Sequence, residues 1–373
     1  MFLKKLVIRN FRNYPDTTLS FENQGNLLYG GNGQGKTNLI ESIYYLSVFR
    51  SFRRGASAEL VRWGEDWFKL SGLFDTDSSH ERCIDVQWDS AGSKKVSYEN
   101  DRVNSLSELL GSFPMVVLSP ESSVISQGQP AERRRFLDIC FSVTDREYLA
   151  HLTSYKRVLK QRNNLLLTGT GNTPGGDVFE PWDEELIKHG SYILDFRSKE
   201  VELLSGLCRE RYSFISGGSE ELTVKYLPGI RNGSDAAASF RRDLAENMAE
   251  ERRRKYTLAG PHRDEVKFYI NGRDARNYGS QGQHKTILLA IKAAEAEYIR
   301  AKMNLQPVLL LDDLFAMLET KRVMAFLNIL KSSGQFFITA NTNIDSKTLL
   351  TQSGFSKEDF SQFLVKGGSV QQQ

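Results

Sequence analysis

The chain has 373 residues, of which 40% are hydrophobic and 25% charged, and it carries a net charge of +3. This is the make-up of a globular protein with room for more than one domain, and any basic surface must be local. Three widely spaced cysteines, Cys83, Cys140 and Cys208, form no CxxC pair, which points to a reducing compartment and away from structural zinc. Charges interrupt the apolar start MFLKKLVIRNF, unlike a signal peptide, and no apolar run approaches the roughly 18 residues of a membrane span. A cytoplasmic protein without a membrane partner is expected.

In chain order, Leu3–Arg9 alternates like a strand, Asn10–Pro15 turns, and Thr17–Phe21 is a second strand. The short apolar strand Asn26–Tyr29 runs into Gly30-Gly31-Asn32-Gly33-Gln34-Gly35-Lys36-Thr37, which fits G-x-x-x-x-G-K-[ST]. Such a loop wraps backbone N–H groups around nucleotide phosphates; its lysine reaches the β- and γ-phosphates and its hydroxyl residue can hold Mg²⁺. The helix expected over Lys36–Val48 places the anion at a helix N-terminus, where free N–H groups and the macrodipole favour it. Strand-like runs follow at Phe68–Phe74, Cys83–Trp88 and Lys95–Tyr98, then a buried strand at Phe113–Leu118.

From Ala131 to Leu167 there is neither Gly nor Pro, and apolar residues recur at helical spacing. Thr168–Gly176 is a flexible break, and Trp182–Tyr212 is helical again. The α/β pattern resumes at Leu222–Leu227, with helices over Asp235–Arg254, Gln281–Lys302 and Lys321–Lys331. The strands are Val266–Ile270, Val308–Leu311 and Gln335–Ala340. The expected organisation is a split α/β domain, residues 1–125 plus 220–373, interrupted by a helical domain at 126–219.

The strand Leu309–Leu311 ends in Asp312-Asp313. In a P-loop NTPase the first acid stands opposite the loop threonine near Mg²⁺, and the second acts on the attacking water as base or positioner. Thr37 and Asp312 are thus the expected metal-side pair, with Asp312, Asp313 and Ser280 as the catalytic set. Ser280 belongs to Gly279-Ser280-Gln281-Gly282-Gln283, which precedes a long helix and matches the signature of ABC-type ATPases in pattern. There the segment belongs to the opposite subunit and meets the γ-phosphate. Arg133-Arg134-Arg135 opens a stretch, Ala131–Thr168, with eight Lys/Arg against four acids, a face suited to duplex phosphates or simply a solvated helix. Arg252–Lys255 is a second basic cluster with the same two readings.

In this order, NFRNY, GGNGQGKTNLIESI, SFRR, LSPESS with GQPAERRRFLD, GPHRDE, GSQGQ and LLLDDLFAMLE resemble the bacterial RecF family over nearly the full chain. The resemblance implies an ABC-type P-loop ATPase domain, like the heads of SMC proteins, with an inserted α-helical domain. It implies ATP and Mg²⁺ as cofactors, and DNA as partner at gaps and junctions. It also implies mediator proteins RecR and RecO, loading of RecA, and roles in replication restart and the SOS response. By similarity to SMC-like heads, Arg12 beside the P-loop contacts nucleotide phosphates; a surface arginine is the alternative. The chain departs from the family pattern at Ala316-Met317-Leu318-Glu319, where Ser-Glu-Leu-Asp is usual. It also carries Thr339-Ala340-Asn341 where transporters have a switch histidine. Slow hydrolysis, a switch more than a motor, and a homodimer formed on ATP binding are expected.

The rival readings are the ATPase subunit of an ABC transporter, a structural SMC-like protein and a monomeric small-molecule kinase. The basic helical insert and missing histidine oppose the first. The insert of about 90 residues is too short for the second. The signature segment has no use in the third.

Overall fold

The structure, a computed structural model, describes residues 1–53, 55–76, 80–169, 178–231, 233, 235–317, 319–342 and 346–373. These form two compact units. The first comprises Met1–Ser123, Arg211–Ser219 and Gln281–Gln373; the second comprises Val124–Glu210 and Glu220–Ser280. The break expected at Thr168–Gly176 lies, from residue 170 onward, outside the described residues.

The first unit contains two six-stranded sheets. One is antiparallel, in the order Tyr14–Ser20, Phe2–Phe11, Trp67–Thr76, His80–Asp89, Lys94–Tyr98, Asp101–Arg102. It contains the three expected strand runs as neighbours. The other runs Ser369–Gln372, Phe360–Lys366, Gly25–Gly30, Phe336–Asn341, Val308–Leu311, Met115–Leu118. All its pairings are parallel except the first. Val308–Leu311 and Met115–Leu118 are buried at every residue, so the sheet is covered on both faces even at Met115–Leu118, the last strand in its order. The helix Lys36–Val48 packs on both sheets. Its Tyr45 meets Phe68 edge-on at 5.5 Å between ring centroids, and Phe68 meets Phe11 at 5.3 Å.

The second unit holds the helices Pro130–Thr144, Arg146–Thr168, Ala236–Arg254 and most of Glu180–Ser216, with a three-stranded antiparallel sheet. The uninterrupted helical pattern of 131–167 is two helices. Asp145 breaks it by leaving helical geometry and capping the second helix, its side chain accepting from Tyr148 N at 2.7 Å. Residues 220–280, read from the sequence as ATPase domain, pack with these helices instead. The cause is ionic. Asp264 is fully buried and accepts from Arg197 (2.5 Å), Tyr226 (2.6 Å) and the Gly229 N–H (2.7 Å), while Arg197 also pairs with Asp138 at 2.6 Å. Burial pushes the Asp264 carboxyl up, and those donors oppose the shift.

His262 is part of the same core. Its Nε2 lies 3.1 Å from the Thr257 carbonyl and so carries the proton, which leaves Nδ1 to accept from the Tyr155 hydroxyl at 2.6 Å. Burial lowers its pKa from 6.5 to about 4. Above pH 6.5 the neutral imidazole contributes in full. Between 6.5 and about 4 only the unfolded chain takes up the proton, so stability falls as pH drops through that window, by up to about 3 kcal/mol. Denaturant unfolding at pH 7.5 and 4.5 should show a smaller pH-dependent loss in His262→Phe than in the wild-type chain; equal losses would show that His262 is not held neutral.

Candidate functional site

The P-loop is shaped by what stands behind it. Gly35, the residue before the helix, is left-handed at φ 116°, and a Cβ there would come 2.6 Å from Asn13 Nδ2. Only glycine meets both conditions. Asn13 donates to the Gln34 carbonyl at 3.0 Å, and the Tyr14 hydroxyl donates to the Gly35 carbonyl at 3.0 Å. From the C-terminal hairpin, Gly368 N–H donates to the same Gln34 carbonyl (3.1 Å) and Gly367 N–H to Gln34 Oε1 (2.8 Å). A Cβ at Gly368, itself at φ 80°, would strike the Asn13 carbonyl at 2.1 Å. Lys36 Nζ spans the carbonyls of Gly30 (2.9 Å) and Gly31 (2.8 Å). Burial lowers its pKa, against the attraction of Asp312 and Asp313.

Parallel register carries the double aspartate to the loop. Leu311 pairs with Ile338, and Asn341 pairs with Gly30 at the mouth of the P-loop. Asp312, 4% exposed, therefore ends its strand between two hydroxyls. Thr37 Oγ1 lies 3.0 and 2.9 Å from its carboxylate oxygens, and Thr339 Oγ1 donates to Oδ1 at 2.8 Å. Desolvation raises the Asp312 pKa, and the two hydroxyls oppose that shift. Asp313 takes a left-handed turn, φ 57°, and its N–H donates to Thr339 Oγ1 at 2.7 Å. Asn341, where transporters carry the switch histidine, donates to Asn32 Oδ1 of the loop at 2.9 Å.

The structure thus brings together the expected loop residues Gly30–Thr37, Asp312 and Asp313. Arg12 is engaged elsewhere: its guanidinium makes two bonds of 2.9 Å to Glu41, a fully buried carboxylate of the P-loop helix, and one of 2.9 Å to the Glu59 carbonyl. Ser280 immediately precedes the helix Gln281–Met303. A Cβ at Gly282 would come 2.7 Å from Arg322 Nη1, and Arg322 lies 4.0 Å from the exposed Glu319. Of the arginine cluster, Arg133 does not face outward. It is 3% exposed, paired with Glu265 at 2.7 and 2.9 Å, and donates to the Gly128 carbonyl at 2.9 Å. Arg134 donates to the Asp264 carbonyl at 2.7 Å. In the second basic run, Arg253 and Arg254 both pair with Glu250.

Thr339, Asn13, Glu41 and the hairpin glycines were not assigned roles from the sequence. Two of them left a signal: Thr339 is the one hydroxyl in the apolar run FFITA, and Glu41 is a charge at a core position of NLIESIYYL.

Comparison with known proteins agrees with this geometry. A family model described as RecF/RecN/SMC N terminal domain matches residues 2–359. A DNA replication and repair protein RecF from Geotalea daltonii is 38% identical over 354 residues, covering 92% of this chain and 95% of its own. One from Leptospira interrogans is 34% identical over 373 residues, covering 100% and 99%. A solved structure of the recombination mediator protein RecF-ATP in the RecFOR pathway matches with a TM-score of 0.90 at 33% identity, covering 100% of this chain and 97% of that one. An SMC head bound to the C-winged helix domain of ScpA matches at 0.57 and 14% identity, a likeness of fold alone. With its P-loop, double aspartate and mixed α/β head of ABC type, the chain belongs to the RecF family of DNA replication and repair proteins.

Proposed function

We propose that this chain binds ATP and Mg²⁺ at the P-loop, forms a homodimer around the nucleotide, and acts as an ATP-gated DNA clamp in recombinational repair. The observation that carries the nucleotide reading is the junction of Thr37, Asp312 and Thr339, with hydroxyls 2.8–3.0 Å from one buried carboxylate. A threonine hydroxyl and a carboxylate are the hard oxygen donors that Mg²⁺ takes beside phosphate oxygens. The bound cation would neutralise charge on the β- and γ-phosphates. Lys36 places its ammonium at the loop mouth as a point charge for the same oxygens. Asp313, turned out of the strand by its left-handed backbone, accepts the proton of the attacking water. With Asn341 in place of a histidine, this machinery suits a slow switch.

The partners follow from the family. RecF relatives are placed by name in DNA replication and repair and in the RecFOR pathway, which supports DNA and RecR- and RecO-type mediators as partners; loading of RecA at single-strand gaps is the role proposed with them. The setting is the cytoplasm; no helix among the described residues is long and apolar enough to cross a membrane. Phosphate contacts to DNA are assigned to Arg135 and to the exposed Arg157 and Lys160, since Arg133 and Arg134 are bonded within their own unit.

Lys36→Ala should weaken ATP binding at least about a hundredfold while leaving the unfolding midpoint close to wild type, because the lysine meets phosphate and not core. Titration with a fluorescent ATP analogue reads this, and normal affinity would refute the phosphate cradle. Asp313→Asn should keep ATP bound and slow hydrolysis about a hundredfold or more in single-turnover assays, since a carboxamide cannot accept the proton. Undiminished turnover would place the base elsewhere. Ser280→Arg should bind ATP but remain monomeric in sedimentation with ATP-Mg²⁺, because the signature segment serves the nucleotide of the other copy in a C₂ pair. A full dimer of this variant would reduce the segment to a helix start.

A further inference from the structure

The strand Val308–Leu311 serves two places. Side chains alternate along a strand, so Leu310 and Asp312 share one face of the sheet and Leu309 and Leu311 the other. Asp312 meets Thr37 of the P-loop helix. On the opposite face, still within the first unit, Leu309 and Leu311 line a cavity of about 70 Å³ that the nucleotide reading does not use. Val116, paired with Leu309 from the neighbouring strand, and Phe326 and Leu330 of the helix Thr320–Leu330 complete its floor. All five floor residues are at most 5% exposed.

The floor offers no side-chain donor or acceptor, and an ordered buried water needs about two to four polar partners. An engineered cavity of about 150 Å³ with walls of this kind stays dry and takes up benzene. About half that volume has room for an apolar group of roughly three or four carbons.

The mouth is cationic. Arg211 gives Nε (2.8 Å) and Nη2 (2.6 Å) to one oxygen of Glu297, and Lys292 pairs with Glu295 at 2.8 Å. Both carboxylates are thereby matched. Arg300, in the last turns of the helix Gln281–Met303, is left over. Its carboxylate contact among the described residues is Glu297 Oε1 at 3.7 Å, and its side chain is 47% exposed. Charge-assisted bonds of full strength are about 2.7–2.9 Å. Three cations against two acids leave one positive charge in excess, on a side chain with room to turn toward a guest.

We infer that this cavity is a ligand site for a small branched-chain carboxylate, its aliphatic tail on Leu309, Leu311 and Phe326 and its carboxylate on Arg300. The occupant is a free acid and not the end of another chain, because the floor is sunk beneath charged side chains and admits only a few carbons. Saturation-transfer NMR on the full chain tests this, with 3-methylbutanoate as the probe and 3-methylbutanamide as its uncharged counterpart. Transfer to the methyl protons of the acid is expected in the wild-type chain. Ala296 lines the cavity, and Ala296→Leu, which fills it, should weaken the acid at least about tenfold without lowering the unfolding temperature. Arg300→Gln, a change at an exposed side chain, should weaken the acid about fivefold and leave the amide unaffected. If Ala296→Leu does not fold, the comparison of acid and amide in Arg300→Gln decides alone. No transfer in the wild-type chain, undiminished transfer in a folded Ala296→Leu, or equal effects on acid and amide in Arg300→Gln would overturn the site. Tighter binding of a leucine-terminated tripeptide than of the free acid would overturn its assignment to a free small molecule.

Discussion

One buried carboxylate with two hydroxyls on it holds the nucleotide face together. Asp312 is 4% exposed, and a charge so placed is tolerated only if donors surround it. Thr37 comes from the P-loop helix, 275 residues earlier in the chain, and Thr339 from the neighbouring strand. The junction therefore links the first and last parts of the α/β unit, and it exists only when the strands Gly25–Gly30, Phe336–Asn341 and Val308–Leu311 pair in their observed register. A slip by one residue would turn Asp312 and Thr339 to opposite faces of the sheet.

The loop itself depends on parts distant in sequence. Gln34 is held from one side by Asn13 and from the other by the glycine turn of the last hairpin, Gly367-Gly368. Glu41, one turn into the helix, is held by Arg12 from the turn after the first strand. An anion site made of backbone N–H groups gains affinity by being shaped before the ligand arrives, since no ordering remains to be done at binding. The antiparallel sheet and the C-terminal hairpin supply that shape from outside the motif.

In the helical unit arginines serve as core ties. Arg133 pairs with Glu265, Arg162 with Asp183 and Glu251, and Arg197 with Asp138 and Asp264, each arginine at most 3% exposed. Removing one partner of such a pair leaves the other buried and uncompensated, at a cost of about 3–5 kcal/mol. Arg133 and Arg162, which belong to a basic face in the sequence reading, are interior, and with Arg197 they tie Glu265, Glu251 and Asp264 to the helices, so the sheet Leu222–Leu227 with Glu265–Ile270 goes with the helices and not with the ATPase unit.

The sequence by itself determined the chemistry that is local. Fixed glycines, a lysine and a threonine at set spacing specify a phosphate loop, because consecutive backbone groups form it. The apolar runs ending in Asp312-Asp313 and the periodicity of the helices were legible for the same reason. Tertiary structure decided everything that needed a partner far along the chain. Arg12 was expected at phosphate and lies on Glu41; Arg133 was expected at DNA and lies on Glu265; Thr339 had no expected role and bridges both aspartates. A long charged side chain looks the same in sequence whether it meets solvent, ligand or a buried carboxylate. Only the placement of that carboxylate, set by strand register and helix packing, tells these apart.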